Sequence, residues 1–296
     1  MNLASHVIMR RPTGFKFDPA TSASNSFQHP PAVPDAEVRA MACAEFDGAV
    51  QLLRAAGVRV TVLDDPAEVA QPNAVFPNNW ISFHAGGQAC LYPMATESRR
   101  RERLPALLEA FGPRETFDLT PAEESGKSLE GTGSLVLDRA QRTAYAALSP
   151  RTDADLARRW AAHMGFDLTL FETLGPGDLP IYHTNVMMAI GSGFAVLCED
   201  VISDRPTANR IREQLTYSGK LVVTITEDQM THFCGNLLEL GGASGPVIAL
   251  SEQAFGAFTQ GQRKALAEHG KLVALKIPTI EAIGGGSVRC MLCEVF

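Results

Sequence analysis

Five short segments of similar character recur along the chain at a nearly constant interval. They are Val75-Phe76-Pro77-Asn78-Asn79-Trp80-Ile81, Leu129-Glu130-Gly131-Thr132-Gly133-Ser134-Leu135, His183-Thr184-Asn185-Val186-Met187-Met188, Cys234-Gly235-Asn236-Leu237-Leu238-Glu239-Leu240, and the stretch from Gly284 to Val295. Counted from Asn79 to Thr132, Asn185, Asn236 and Val288, the steps are 53, 53, 51 and 52 residues. Each segment sets small, amide or polar residues just ahead of an apolar, strand-like run. A fixed period near fifty residues marks a supersecondary unit repeated as a propeller or array. Within one period the pattern reads strand, strand, helix, strand. The third has strands at 183–190 and 194–198, a helix at 207–217 and a strand at 220–226. Helices expected at 36–56, 100–111, 153–164 and 252–268 fill the same slot elsewhere. A helix in every unit excludes the all-strand blades of a WD-type propeller. The expected fold is therefore α/β: five ββαβ units in a propeller around a pseudo-fivefold axis, with the five segments facing a common central cavity.

The even repeat, with no long Pro/Ser/Gly linker, favours a single domain over residues 1–296. A net charge of −7 with interspersed signs argues against nucleic acid as a partner. The one basic run, Arg99-Arg100-Arg101-Glu102-Arg103, opens an expected helix, where a solvated face is the plain reading. No apolar stretch has transmembrane length and the N-terminus carries no signal-peptide core, so the expectation is a cytoplasmic protein without a membrane partner. Six cysteines in 296 residues agree with a reducing compartment. A homo-oligomer is compatible with this composition, which does not fix the number of subunits.

Three consecutive glycines, Gly284 to Gly286, lead into Cys290 and a short apolar run. Glycine lets the backbone approach a ligand closely, and a turn delivering one thiol to a strand tip is a way to build a nucleophile. Free cysteine is also an ordinary buried hydrophobe, so this segment alone leaves both readings open. Cys293 makes a Cys-x-x-Cys with Cys290, but residues three apart on a strand point to opposite faces. With no second cysteine pair to match, Cys293 reads as structural. His183 stands in the position equivalent to Cys290, two repeats away, and repeat symmetry aims both into the cavity. Its ordinary pKa near neutrality suits a proton carrier. Glu130 occupies the intervening unit and is expected to hydrogen-bond the imidazole or a substrate nitrogen. His84, His163, His232 and His269 have no comparable context, and no His or Cys spacing suggests a metal site.

Taken together, these motifs resemble the arginine deiminase and amidinotransferase superfamily over essentially the whole chain, from Met9-Arg10-Arg11-Pro12 to the terminal thiol. Phe76-Pro77-Asn78-Asn79 stands where arginine deiminases have Phe-Thr-Arg-Asp. Leu129-Glu130-Gly131-Thr132-Gly133 stands where they have Glu-Gly-Gly-Asp, and His183-Thr184-Asn185 where they have His-x-Asp. The resemblance implies the five-unit propeller called a pentein, a guanidino or ureido substrate, no cofactor, and catalysis by Cys290, His183 and Glu130. A guanidino or ureido carbon is a poor electrophile, and a covalent thio-intermediate on Cys290 splits its hydrolysis into two easier steps.

The sequence departs from the deiminase pattern at two positions. Where deiminases place aspartates on the cationic guanidinium, this chain has the amides Asn79 and Asn185, which offer a donor and an acceptor without charge. This resembles the citrulline-hydrolysing (citrulline ureidase) branch and implies L-citrulline plus water giving L-ornithine, ammonia and carbon dioxide. Ser98-Arg99-Arg100-Arg101-Glu102 resembles the Ser-Arg-Arg-Lys-Glu run of dimethylarginine hydrolases, with Arg100 the aligned candidate for the substrate carboxylate and Arg99 next to it. The alternatives are an arginine or dimethylarginine deiminase-type enzyme, an amidinotransferase, or a non-catalytic propeller that binds a metabolite or another protein.

Overall fold

The computed structural model describes residues 3–64 and 71–296. Strands β1 (His6–Arg10) and β2 (Arg59–Leu63) precede and follow the long helix Asp35–Ala55 along the chain and pair with each other in parallel. Four three-stranded sheets follow in chain order. They are β3 (Ile81–His84), β4 (Gln88–Leu91) and β5 (Glu115–Asp118); β6 (Val136–Asp138), β7 (Thr143–Ala147) and β8 (Asp167–Phe171); β9 (Met188–Ile190), β10 (Phe194–Leu197) and β11 (Leu221–Thr224); and β12 (Leu238–Gly242), β13 (Gly245–Ser251) and β14 (Lys271–Leu275). The last strand, β15 (Cys293–Val295), returns to pair antiparallel with β1, placing Val295 opposite His6 and Cys293 opposite Ile8. Each sheet has one antiparallel pair, β3/β4, β6/β7, β9/β10, β12/β13 or β15/β1, followed by one parallel pair. Parallel neighbours need a crossover, and every one here is helical.

Local chemistry sets the crossover helices. Asp153 caps Ala154–Met164 by accepting from the backbone of Asp155 and Leu156, and Gly165 ends it in the left-handed region. Leu156, Ala157, Trp160, Ala161 and Met164 form its buried face. The helices expected at 100–111 and 252–268 are each two helices. Pro105 starts Pro105–Phe111 and forces Leu104 into extended backbone. Phe258 is likewise extended, and Thr259 with Gln262 builds a capping box that opens Gln260–Ala267 afresh. Among the described residues, no helix is long and apolar enough to cross a membrane.

Burial falls from the first strand of each sheet to the third. Ile81–His84 is wholly buried, whereas Glu115–Asp118 and Leu221–Thr224 are largely exposed or half-buried. First strands also pack on one another across sheets, β15 against β3 and β9 against both β6 and β12. Four of them are preceded by one helical turn: Pro77–Asn79, Gly131–Ser134, Thr184–Met187 and Val288–Met291. The polar segments, expected to run straight into strands, enter them through these turns. The intervening turns arise because each segment is rich in glycine, amide or hydroxyl residues whose side chains bond to a neighbouring turn.

Those bonds make a belt of repeat-equivalent residues. Thr132 Oγ1 donates to Asn78 O (3.4 Å), Asn185 Nδ2 to Thr132 O (3.2 Å), Asn236 Nδ2 to Asn185 O (2.9 Å), and Arg289 N to Asn236 Oδ1 (3.0 Å). Asn236 is fully buried. Removing its amide orphans a carbonyl and an N–H, each costing about 1–3 kcal/mol. Asn236→Ala is expected to lower unfolding free energy by about 2–4 kcal/mol in urea titrations. An unchanged midpoint would show that the belt does not hold the turns.

Candidate active site

Cys290 sits in the turn Val288–Met291, between the glycine run and β15, and is 3% exposed. The glycines have distinct reasons. Gly285 ends the helix Pro278–Gly284 at φ +65°, while a Cβ on Gly284 or Gly286 would lie 2.8 or 3.0 Å from the Phe76 ring. Two amides donate to the sulfur: Asn236 Nδ2 at 3.4 Å and Asn185 Nδ2 at 3.5 Å.

His183 lies in extended backbone just before the turn Thr184–Met187, and Glu130 holds the corresponding place before Gly131–Ser134. His183 Nε2 is 2.8 Å from Glu130 Oε2, and the amide N of Ala95 donates to Glu130 Oε1 at 3.0 Å. Arg151 Nη1 and Arg99 Nη1 approach Glu130 Oε2 at 3.5 and 3.8 Å. Burial works to raise the Glu130 pKa, but Arg151, His183 and Arg99 outweigh it and hold the carboxyl below its usual range. Burial brings His183 down to about 4, with Glu130 opposing and Arg151 and Arg99 assisting. At neutral pH, then, an ionised carboxylate, which can only accept, faces a neutral imidazole. Nε2 carries the proton and Nδ1 is left as a bare acceptor. A Cβ on Gly133 would stand 2.7 Å from His183 Nδ1 and 2.6 Å from Asn79 Nδ2, so a side chain there would crowd both atoms.

Cys290, His183, Asn79, Arg99, Arg151 and Asn73 line one cavity of about 10 Å³. The segment Asp18–Gln28 covers it: Asn25 Nδ2 donates to Gly285 O (3.1 Å), Gln28 Nε2 to Gly284 O (2.8 Å), and Arg151 reaches Thr21 O (2.8 Å) and Ser24 Oγ. That volume suits about one water. An amino acid needs more room than that. A second cavity of about 390 Å³ is lined by Arg139, Arg142, Glu239, Glu294, Met188 and Asn185, among others.

Of the residues singled out from sequence, Cys290, His183, Glu130 and Asn79 come together. Asn185 touches the sulfur but lines the larger cavity, and its Nδ2 belongs to the belt. Arg100 is not brought to the site. It donates to Met94 O and Ala95 O and faces Glu123 at 3.6 Å. The turn Glu97–Arg100 instead buries Arg99, which lines the small cavity. Cys293 donates to Ile81 O at 3.7 Å in a separate apolar cluster, and burial pushes its thiol up to about 12. Cys290 lies in the helical turn and Cys293 opens β15, and the two side chains pack into different clusters. Sequence reasoning missed Asn73, Arg151 and the cover residues Asn25 and Gln28, which lie outside the repeated segments. Asn236 was inside one and carried the period as its signal. Among the described residues, no three His, Cys, Asp or Glu side chains are grouped to hold a metal ion.

A family model described as N,N dimethylarginine dimethylhydrolase, eukaryotic, matches residues 11–296. Solved structures share the fold at low identity. The substrate-bound N-terminal domain of ArgZ, an arginine dihydrolase from the ornithine-ammonia cycle in Cyanobacteria, is 16% identical with TM-score 0.76, covering 98% of this chain and 97% of that one. AgrE in complex with L-arginine is 15% identical with TM-score 0.78, and there the chain is fully covered but spans only 40% of the longer protein. A dimethylarginine dimethylaminohydrolase carrying an S-methyl-L-thiocitrulline adduct is 16% identical with TM-score 0.66, covering 99% and 100%. No curated protein matches the chain. The fold and family define a hydrolase of non-peptide C–N bonds in the arginine deiminase and amidinotransferase superfamily. Within that superfamily, the chain belongs to the N,N-dimethylarginine dimethylhydrolase family.

The buried pair sets a pH dependence. His183 titrates near 6.5 when unfolded and about 4 when folded. Between those values the unfolded chain binds the extra proton, so native stability falls as pH falls. Glu130, with its folded pKa depressed, adds a loss below the ordinary carboxylate value. His84, held at about 3 by burial, shares the first window, so the informative quantity is wild type minus His183→Gln. That difference is expected to change by up to about 1.4 kcal/mol per pH unit between pH 6.5 and 4, and to be flat above 7. Urea midpoints across this range measure it. A constant difference would mean His183 is not buried neutral.

Proposed function

We propose that the chain is a thiol-dependent hydrolase of a small ureido or guanidino amino acid, with L-citrulline as substrate and L-ornithine, ammonia and carbon dioxide as products. The whole chain is read as one five-unit α/β propeller, closed by β15 on β1. The observation carrying the reading is the constellation around one cavity: a sulfur receiving two amide N–H groups, and a neutral histidine whose Nε2–H is tied to an ionised Glu130. The amide donors suit an anionic sulfur. Cys290 Sγ attacks the ureido carbon and C–N cleavage leaves a covalent thio-intermediate. His183 Nδ1 takes up the proton released at the sulfur, delivers it to the departing nitrogen, and then draws one from the water that clears the intermediate as a carbamate, which loses carbon dioxide as its remaining C–N bond breaks. Glu130 fixes the tautomer and is itself held ionised by Arg151 and Arg99.

Arginine or dimethylarginine is the second reading, supported by the family description and by the arginine-handling neighbours. The amides at Asn79 and Asn73 favour the neutral substrate. Ammonia release measured separately on citrulline, arginine, dimethylarginine and agmatine distinguishes them. Citrulline is expected to be consumed fastest, Cys290→Ser to abolish turnover, and Cys293→Ser to retain it, since Cys293 lies in another packing cluster. Ready use of arginine with citrulline ignored would overturn the substrate assignment.

A further inference from the structure

Two buried polar atoms on the wall of the Cys290 cavity have no hydrogen-bond partner among the described residues: Asn79 Nδ2 and Asn73 Oδ1. Both residues are 2% exposed, and leaving such atoms unpaired is costly unless a ligand completes them.

Their chemical identity is fixed by their neighbours. Arg99 Nη1 lies 2.8 Å from the other terminal atom of the Asn79 amide. A guanidinium has no acceptor, so that atom must be the oxygen and the free one must be the NH2. Arg99 is in turn held by Glu102, through Nε at 3.0 Å and Nη2 at 2.9 Å. Asn73 is oriented by the opposite logic. Its amide lies 3.3 Å from Asp18 Oδ2, an acceptor, so the nitrogen faces Asp18 and the oxygen is free.

We propose that Arg99, braced by Glu102, is a specificity-setting positioning residue: it locks Asn79 with its N–H2 toward the substrate, so that Asn79 and Asn73 together offer one donor and one acceptor to a neutral ureido group and reject a guanidinium. This rests on the thiol-hydrolase reading above and deepens it. A ureido carbonyl accepts from Asn79 Nδ2, and a ureido N–H donates to Asn73 Oδ1. A guanidinium carries only donors. At Asn79 it would meet another donor backed by the Arg99 cation. The carboxylates close by are already engaged, Glu102 with Arg99, Glu130 with His183, Arg151 and Arg99, and Asp18 with Asn73 and Ser98. Asn79 cannot flip to welcome the cation without breaking its bond to Arg99 and turning N–H2 toward a guanidinium.

The test compares kcat/KM for L-citrulline and L-arginine in wild type, Arg99→Lys and Asn73→Asp, and calorimetric binding of both amino acids in the Cys290→Ser background. Arg99→Lys keeps the charge facing Glu102 but loses the planar fork. It is expected to cut the citrulline-over-arginine ratio by roughly tenfold or more, about one mispaired hydrogen bond, with binding shifting in parallel. Asn73→Asp, away from the ion pair, is expected to move the ratio the same way and tests the idea even if Arg99→Lys does not fold. A wild type that favours citrulline, with ratios unchanged in soluble variants, overturns the proposal alone. A wild type that turns over neither amino acid, or favours arginine, overturns the underlying reading and the proposal with it.

Discussion

Side-chain amides bonded to the backbone of the neighbouring turn are the interaction on which the rest of the structure depends. Asn185 and Asn236 each reach the preceding unit's carbonyl, and Asn236 also receives the N–H of Arg289, one residue before Cys290. Helical turns this short cannot satisfy their own peptide groups. Buried among first strands that leave little access to water, they are held by their neighbours or not at all. The same two amides point N–H groups at Cys290 Sγ. The packing of the turns and the setting of the sulfur are therefore one network, and the pairing of β15 with β1 anchors its end.

The second constraint is charge balance in a nearly closed space. Glu130 and Glu102 are both essentially unexposed, and each is matched by a cation or donor. A buried carboxylate without such partners would protonate rather than stay charged. Burial keeps His183 neutral against the pull of ionised Glu130, and that carboxylate fixes its tautomer. Because Arg99 is committed to Glu102 and Asn79, the cavity wall presents amide chemistry without a surplus negative charge.

The mixed α/β character and its repeated small sheets were legible because period and composition act together. The interval near fifty-two residues reflects a ββαβ unit, and the equivalent positions Thr132, Asn185 and Asn236 are the belt residues themselves. Cys290, His183 and Glu130 were candidates because they stand in or beside that belt. Helix breaks at Leu104 and Phe258 were not anticipated, because they depend on a proline restriction and a capping box that outweigh helical periodicity. Arg99 and Arg100 are adjacent, and only the geometry of one short turn decides which guanidinium is buried. Asn73, Arg151 and the cover residues 18–28 reach the site through tertiary packing. No local pattern marks them.

Mass spectrometry of acid-quenched enzyme during turnover of L-citrulline, with fragmentation to locate any modification, tests the central claim most directly. The account expects a transient adduct on Cys290 that forms and decays at rates compatible with turnover, with Cys293 unmodified. Sustained ammonia release with Cys290 unmodified at every quench time would contradict it.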